Sequence, residues 1–238
     1  MLECSYCEKS HVGMVRSNNE DSYCSVPELG LWIVADGMGG HEGGEVASAV
    51  VVNALVKYIR QGQSLFEAVT LANNYLNEAI SLGFGCNGMG TTVAILRKVD
   101  DKFEVAWVGD SRVYLYRKGL CRLTRDHSVV QSLIDSGLLS PSDATLHPQR
   151  HVVTRAMRGG ENPGFLADVV SGDLLPGSIF LLCSDGLTDA VTDDEIAKII
   201  GANDDLESIR DTLINAALDA GGQDNVTVQL VRVDDTEH

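Results

Sequence analysis

LGLWIVADG at residues 29–37 is an apolar run of strand length that stops at Asp36 and Gly37. A continuous apolar run closed by a turn signal predicts a strand buried on both faces. The same pattern recurs in TTVAILR at 91–97, EVAWVGDS at 104–111 and SIFLLCSDG at 178–186. A final strand, NVTVQLVRV at 225–233, begins directly after Asp224. It alternates in polarity, so one of its sides is expected to be less buried.

Working outward, helical periodicity fills the space between the first two strands. It covers 45–60 and 64–82, the second with Leu65, Val69, Ala72, Leu76, Ala79 and Ile80 on one stripe. Near the C-terminus, Thr192 and Glu195 have capping-box spacing ahead of Ile196 and Ile199, and Leu206, Ile209, Leu213 and Ala216 mark another amphipathic helix. Strands grouped between helical pairs predict an α+β protein of stacked, mostly antiparallel sheets flanked by helices. Residues 1–238 read as one domain. The stretch from about 128 to 164 fits least well, with a short helix ending near Gly137 and a Ser140-Pro141 helix start, and is expected to be an inserted, partly mobile flap.

The chain has 238 residues, 44% hydrophobic and 22% charged, with a formal net charge of -16. This length can bury a core without disulfides or structural metal. The negative charge argues against nucleic acid or anionic membrane as partners, and no Lys/Arg run makes a local exception. It would also repel a phosphorylated substrate, so a phosphate site here needs bound cations or arginine. Six scattered cysteines and a start, MLECSYCEKS, without an apolar signal core point to the reducing cytoplasm. Cys4 and Cys7 lack a second pair at zinc spacing, and read as free thiols on a mobile N-terminal segment.

Three strands end at an aspartate, Asp36, Asp110 and Asp185, and a fourth starts after Asp224. Each alone reads as a turn residue. Four together, with Glu20-Asp21, would collect at a sheet rim, where carboxylates repel one another unless a cation compensates. Oxygen ligands select Mg²⁺ or Mn²⁺, and two such ions could activate one water while polarising a phosphoryl oxygen. The glycines of ADGMGGHEGGE at 35–45 match neither a P-loop nor a dinucleotide fingerprint. No cysteine precedes an arginine at C-x₅-R spacing, which excludes a cysteine-dependent phosphatase. His127 is expected to be a structural hydrogen-bonding partner, His147 and His151 ordinary loop residues, and Trp32 and Trp107 core.

An ordered set of motifs spans nearly the whole chain: Gly13-x-x-Arg16-x-x-Asn19-Glu20-Asp21, Asp36-Gly37-Met38-Gly39-Gly40-His41, Gly90-Thr91-Thr92, Gly109-Asp110-Ser111-Arg112, Asp126-His127-Ser128, Ser184-Asp185-Gly186-Leu187 and Asp224-Asn225. In these the chain resembles the bacterial branch of the PPM family, the type-two-C metal-dependent serine/threonine protein phosphatases. The resemblance implies a double β-sandwich with helices outside, a four-layer α-β-β-α arrangement. It implies one metal at Asp36, Asp185 and Asp224, a second at Glu20, Asp36 and the Gly37 carbonyl, and a third, weaker ion at Asp110 and Asp185. Arg16 is implied to bind the substrate phosphate. Met38 stands where many eukaryotic members carry the general-acid histidine, which leaves His41 or water as proton donor.

The function so implied is hydrolysis of phosphoserine and phosphothreonine in proteins with Mn²⁺ or Mg²⁺, opposing a cognate serine/threonine kinase. Some bacterial relatives act beside a kinase that regulates type VI secretion, and the GLWIVADGMGGHEGG stretch resembles those. The alternatives are a metal-dependent hydrolase of small phosphoesters and a phosphoprotein-binding pseudophosphatase. The pseudophosphatase reading would predict loss of a metal carboxylate, and none is missing.

Overall fold

The computed structural model describes residues 2–39, 43–86, 88–158 and 166–234. Its strands are β1 (Cys4–His11), β2 (Asp21–Val26), β3 (Leu31–Met38), β4 (Gly90–Thr91), β5 (Val93–Val99), β6 (Lys102–Val108), β7 (Arg112–Tyr116), β8 (Leu120–Arg122), β9 (Met157–Arg158), β10 (Asp168–Asp173), β11 (Ile179–Cys183) and β12 (Val226–Val233). Its α-helices are α1 (Gly43–Arg60), α2 (Leu65–Ser81), α3 (Val129–Asp135), α4 (Pro141–Ala144), α5 (Asp185–Thr188), α6 (Asp193–Gly201) and α7 (Leu206–Asp219).

Two antiparallel sheets result. One runs β1-β12-β11-β7-β8; the other runs β10-β6-β5-β3-β4-β9, with β2 also paired to β3. Three apolar clusters mark the interfaces of four layers. Leu31, Ile33 and Ala35 pack with Val51, Leu55, Leu65 and Val69 of α1 and α2. Leu181, Val228 and Leu230 pack with Ile196, Ile209 and Leu213 of α6 and α7. Trp32, Val34, Leu96 and Trp107 meet Phe180, Leu182 and Val231 between the sheets.

The predicted helices and capping box are present, and Thr192 caps α6 with Glu195 reciprocating. Two expectations are corrected. The Cys4–Cys7 stretch is not a mobile end: it lies in β1, paired along its length with β12, and Cys7 is buried. β12 lacks a less buried side, because β1 and β11 flank it, α7 covers one face and the second sheet covers the other. Its Thr227 and Gln229 are wholly buried between the sheets, where Thr227 Oγ1 donates to Asp21 and Gln229 Nε2 donates to Glu8, while Gln229 Oε1 is buried without a partner. β1, β2, β7, β8, β9 and β10 have no counterpart among the expected strands. The edge strands β1 and β10 carry half-exposed polar residues, so they lack the apolar run that reveals a central strand. No helix among the described residues is long and apolar enough to cross a membrane.

Strand alternation aims the carboxylates. On β3, Trp32 and Val34 face the opposing sheet, so Asp36, two residues on, points into the end of the same inter-sheet layer. The layer is apolar in its middle and turns polar there.

Candidate functional site

The backbone of Asp36 is pinned from the neighbouring segment. Thr91 Oγ1 donates to its carbonyl at 2.9 Å, Thr92 N donates to the same carbonyl at 2.8 Å, and Asp36 N donates to Thr92 Oγ1 at 3.2 Å. Gly37 lies so close to α1 that a Cβ there would stand 2.1 Å from the Gly44 carbonyl oxygen, so only glycine lets this turn meet the helix start.

Asn225 fastens the loop that carries Glu20 and Arg16. Its Nδ2 donates to the carbonyls of Val12 and Asn18, and its Oδ1 accepts from Glu20 N at 2.8 Å. Gly13 in this loop has φ +83°, and a Cβ there would stand 2.3 Å from the Asp224 carbonyl oxygen. Ser48 Oγ donates to the Glu20 carbonyl at 2.7 Å, which ties the loop to α1. The motifs contain these threonines and Asn225, but nothing in their spacing reveals this bracing role.

The structure therefore brings Glu20, Asp36, Gly37, Asp110, Asp185 and Asp224 to one end of the inter-sheet layer, and Arg16 to its rim. Arg16 Nη2 donates to Asp224 Oδ2 at 2.7 Å with the guanidinium largely exposed. His41 lies outside the described residues.

The electrostatics of this end are those of uncompensated carboxylates. Burial and then the charges of Asp185, Asp21 and Asp110 push Asp36 well above the usual carboxylate range. Asp185 is pushed the same way by burial and by Asp110, Asp189 and Asp224. Asp36 and Asp185 act directly on each other, and the nearness of Asp185 raises Asp36 further. Asp110 is 8% exposed and is pushed up to about 7, first by burial and then by Asp126. Burial also raises Glu20.

Asp21, expected with Glu20 among the collected carboxylates but given no ligand role, lies in this cluster. Its Oδ2 accepts from Ser184 Oγ at 2.8 Å and Thr227 Oγ1 at 2.6 Å, and burial still raises it to about 6. Its Oδ1 and that of Asp185 are buried without a partner. Asp189, one helical turn after Asp185, is a further acid that the sequence reading missed, although the i, i+4 spacing was there to see. It pairs with His151, whose Nδ1 lies 2.8 Å from Asp189 Oδ2, so His151 is not an ordinary loop residue.

His127 has the structural part expected of it. Its Nδ1 accepts from Gly109 N at 2.9 Å, which leaves Nε2–H to donate to Asp168 Oδ2 at 3.1 Å, and Arg155 Nη1 donates to Asp168 Oδ1 at 3.2 Å. Segment 128–158 is fastened at its base by Val129 N to Val152 O and Thr154 N to His127 O, and at its far end by pairing of β9 with β4.

A divalent cation fits this donor set. The protein's own relief of the crowding is to keep protons on acids that are ionised at neutral pH in water; a cation relieves it with the acids ionised and gives the orphan oxygens a partner. Every donor is oxygen, as Mg²⁺ and Mn²⁺ prefer.

The sequence matches the family model described as Protein phosphatase 2C over residues 10–229. It is 38% identical over 245 residues to the serine/threonine protein phosphatase PstP of Mycobacterium tuberculosis, covering 100% of this chain and 46% of that protein. The chain thus spans about half the length of that relative. It is 33% identical to the protein phosphatase PhpP of Streptococcus pneumoniae, covering 95% of this chain and 96% of that one. Among solved structures, the PstP catalytic domain in complex with two manganese ions superposes with a TM-score of 0.88 at 34% identity, over 99% of this chain and 100% of that one. A crystal structure of Pseudomonas aeruginosa PppA, described as a key regulatory component of T6SS, superposes with a TM-score of 0.80 at 34% identity, over 97% and 98%.

Proposed function

This chain belongs to the protein phosphatase 2C family, and from that premise we propose that it is a metal-dependent serine/threonine protein phosphatase hydrolysing phosphoserine and phosphothreonine in proteins. The observation that carries the reading is the crowd of buried carboxylates around Asp36 and Asp185, which burial and one another's charge push well above the usual range and which leaves Asp21 Oδ1 and Asp185 Oδ1 without partners. Asp36, Asp185 and Asp224 would hold one cation, Glu20, Asp36 and the Gly37 carbonyl a second, and Asp110 with Asp185 a third, weaker one. When bound, such ions supply Lewis acidity that acidifies water and draws charge from a phosphoryl oxygen.

The chain's own residues supply the rest. Arg16 is the exposed cation at the rim, placed to take the phosphate oxygens that the net charge of -16 would otherwise repel. Its present partner, Asp224, neutralises it, and a cation on Asp224 would free the guanidinium for substrate. Asn225, Thr91 and Thr92 hold the loops that fix Glu20, Arg16 and Asp36. Residues 1–238 act as one catalytic domain, with a flap insertion at about 128–164. His41, the nearby imidazole in the sequence, is the candidate proton donor to the leaving oxygen.

The finer reading is that the protein opposes a cognate serine/threonine kinase in the cytoplasm, in a pathway linked to type VI secretion. Its support is the likeness to PppA and the names of the bacterial relatives.

The test is phosphate release from matched phosphoserine, phosphothreonine and phosphotyrosine peptides with Mn²⁺, with Mg²⁺ and in chelator. Turnover of the first two with cation and none in chelator is expected. Full turnover in chelator overturns the metal mechanism, and turnover confined to small phosphomonoesters overturns the protein substrate.

A further inference from the structure

Strand register carries an arginine of β9 onto the same sheet face as Asp36. Across β3 and β4, Gly37 pairs with Thr91 and Met38 with Gly90; across β4 and β9, Thr91 pairs with Met157 and Gly90 with Arg158. Residues paired directly across antiparallel strands project to one face. Met157 is wholly buried in the cluster formed with α1 and α2, so Gly37, Thr91 and Met157 look toward the helices. Met38, Gly90 and Arg158 therefore look the other way, as Asp36 does. A Cβ added to Gly90 would stand 3.1 Å from Arg158 Cβ, as side chains on one face must. Since Gly90 has none, a bare strip of backbone separates Met38 from Arg158. The arginine's main chain is fixed: its N donates at 3.2 Å to Oδ1 of Asn73, which is buried on α2. Its side chain is exposed, and the guanidinium makes no hydrogen bond or ion pair among the described residues. Two nearby arginines are taken, Arg16 by Asp224 and Arg155 by Asp168 and the Leu166 carbonyl.

We propose that Arg158 is a specificity-determining residue, binding the carboxylate of an Asp or Glu that lies two to four residues from the phosphorylated serine or threonine of the substrate. The proposal rests on the phosphatase reading above and adds the class of site selected. Strands lie about 4.8 Å apart and one face repeats about every 7 Å along a strand, so the Cα of Arg158 is roughly 12 Å from that of Asp36. An extended peptide advances about 3.4 Å per residue, so a phosphorylated residue seated over Asp36 puts a near neighbour within reach of the guanidinium. The bare strip at Gly90 leaves room for the chain between them. The guanidinium fork matches a carboxylate bidentately. With 34 acidic against 18 basic residues, the surface as a whole repels an acid-flanked peptide, so a preference for one needs a local cation of this kind. Arg158 touches no reacting atom in this arrangement. The contact is equally strong before and during the chemical step, and its effect falls on KM rather than kcat.

The experiment measures kcat and KM of the full chain in Mn²⁺ on phosphothreonine peptides that differ at one position. Glu, Gln or Lys is placed in turn at each site two to four residues to either side of the phosphothreonine. At one or more of these sites the wild-type chain should favour Glu over Gln by about three- to tenfold in kcat/KM, the worth of an exposed charge-assisted contact, with Lys poorest. The preference should lie in KM and shrink as salt is raised. Arg158→Ala should bring the Glu-to-Gln ratio near one. Arg158→Lys should keep part of it, since the charge remains without the fork, and Arg158→Glu should turn the preference toward Lys. A wild-type chain indifferent to Glu at all these positions overturns the proposal. So does an Arg158→Ala variant that loses turnover equally on Glu and Gln peptides, which would put Arg158 on the phosphate or in the fold, and so does an acid preference that survives in Arg158→Glu. Equal turnover of the Glu and Gln peptides by the wild type defeats this proposal alone and leaves the phosphatase reading standing. A chain that releases phosphate from none of the peptides defeats both.

Discussion

Two regions of this protein hold charge away from water, and they solve the problem in opposite ways. Beside β7, Arg112 Nε donates to both carboxylate oxygens of Asp126, at 3.0 and 3.1 Å, and Nη2 donates to Oδ2 at 2.6 Å. Its Nη1 donates to Tyr114 Oη at 3.1 Å, and Tyr114 in turn donates to Asp193 Oδ1 at 2.8 Å. Every charge there has an opposite, and the network locks β7 to α6. Around Asp36 and Asp185 the acids face one another, raise one another and leave oxygens bare. Burial is common to both regions, so burial does not mark a functional site. What marks it is a charge of one sign that the chain itself leaves unanswered.

The largest effect expected from this contrast is on chemistry. Asp36→Asn removes the carboxylate common to both core cations, and kcat/KM for a phosphopeptide should fall by about a thousandfold or more as several kcal/mol of charge stabilisation is lost. The fold should survive, because the substitution relieves crowding, and melting in chelator checks this. A folded variant with undiminished turnover breaks the comparison.

Next comes stability at the satisfied cluster. Arg112→Ala strands Asp126 without its main partner and should cost about 3–5 kcal/mol, the range for breaking a buried pair. For a chain of this size that is a fall of about 10 °C in melting temperature, and the affinity of the tight metal sites should barely move. A variant that melts normally but loses metal would show that the two regions are not separate.

A smaller effect is expected at the rim. Arg16→Ala should lower kcat/KM by about 10- to 100-fold, the worth of a charge-assisted hydrogen bond, without loosening metal. Unchanged kcat/KM would make the Arg16 contact to Asp224 structural.

The smallest effect is a pH slope in stability. In chelator, Asp21 and Asp110 are raised to about 6 and about 7, and Asp36 and Asp185 are also raised, so between about pH 4 and 7 the folded state holds more protons than the unfolded one. Stability supplied by those protons is complete below about pH 4 and is lost as pH rises through the folded values, so the melting temperature should drop by several degrees toward pH 8. Saturating Mn²⁺ should flatten or reverse that slope. A metal-free chain whose stability rises over the same window would contradict the uncompensated cluster.

How much was legible in the sequence depended on where each residue lies. The central strands announced themselves, because β3, β5, β6 and β11 are covered on both faces and must be apolar throughout. The edge strands did not, since half-exposed positions carry no comparable pattern. The aspartates Asp36, Asp110, Asp185 and Asp224 were visible as strand-end punctuation, and their clustering followed from the layering. Asp21 was counted with Glu20 among the clustered acids but without a role of its own, and Asp189 escaped notice because it has the pattern of any helix-end acid. His151 could not be paired with Asp189 from sequence at all, because 38 positions separate them and only the path of the flap brings them together.

The sequence by itself determined the long helices, the central strands, their stacking as sheets between helices and the kind of donor atoms available, because each follows from local periodicity and residue chemistry. The tertiary structure alone decided which carboxylates press on one another, which oxygens go unpartnered, and that Arg112 is answered while Asp185 is not. Those outcomes depend on distances of a few ångströms between residues far apart in the chain. At that range burial and neighbouring charge, not residue type, set the energy of an ionised group.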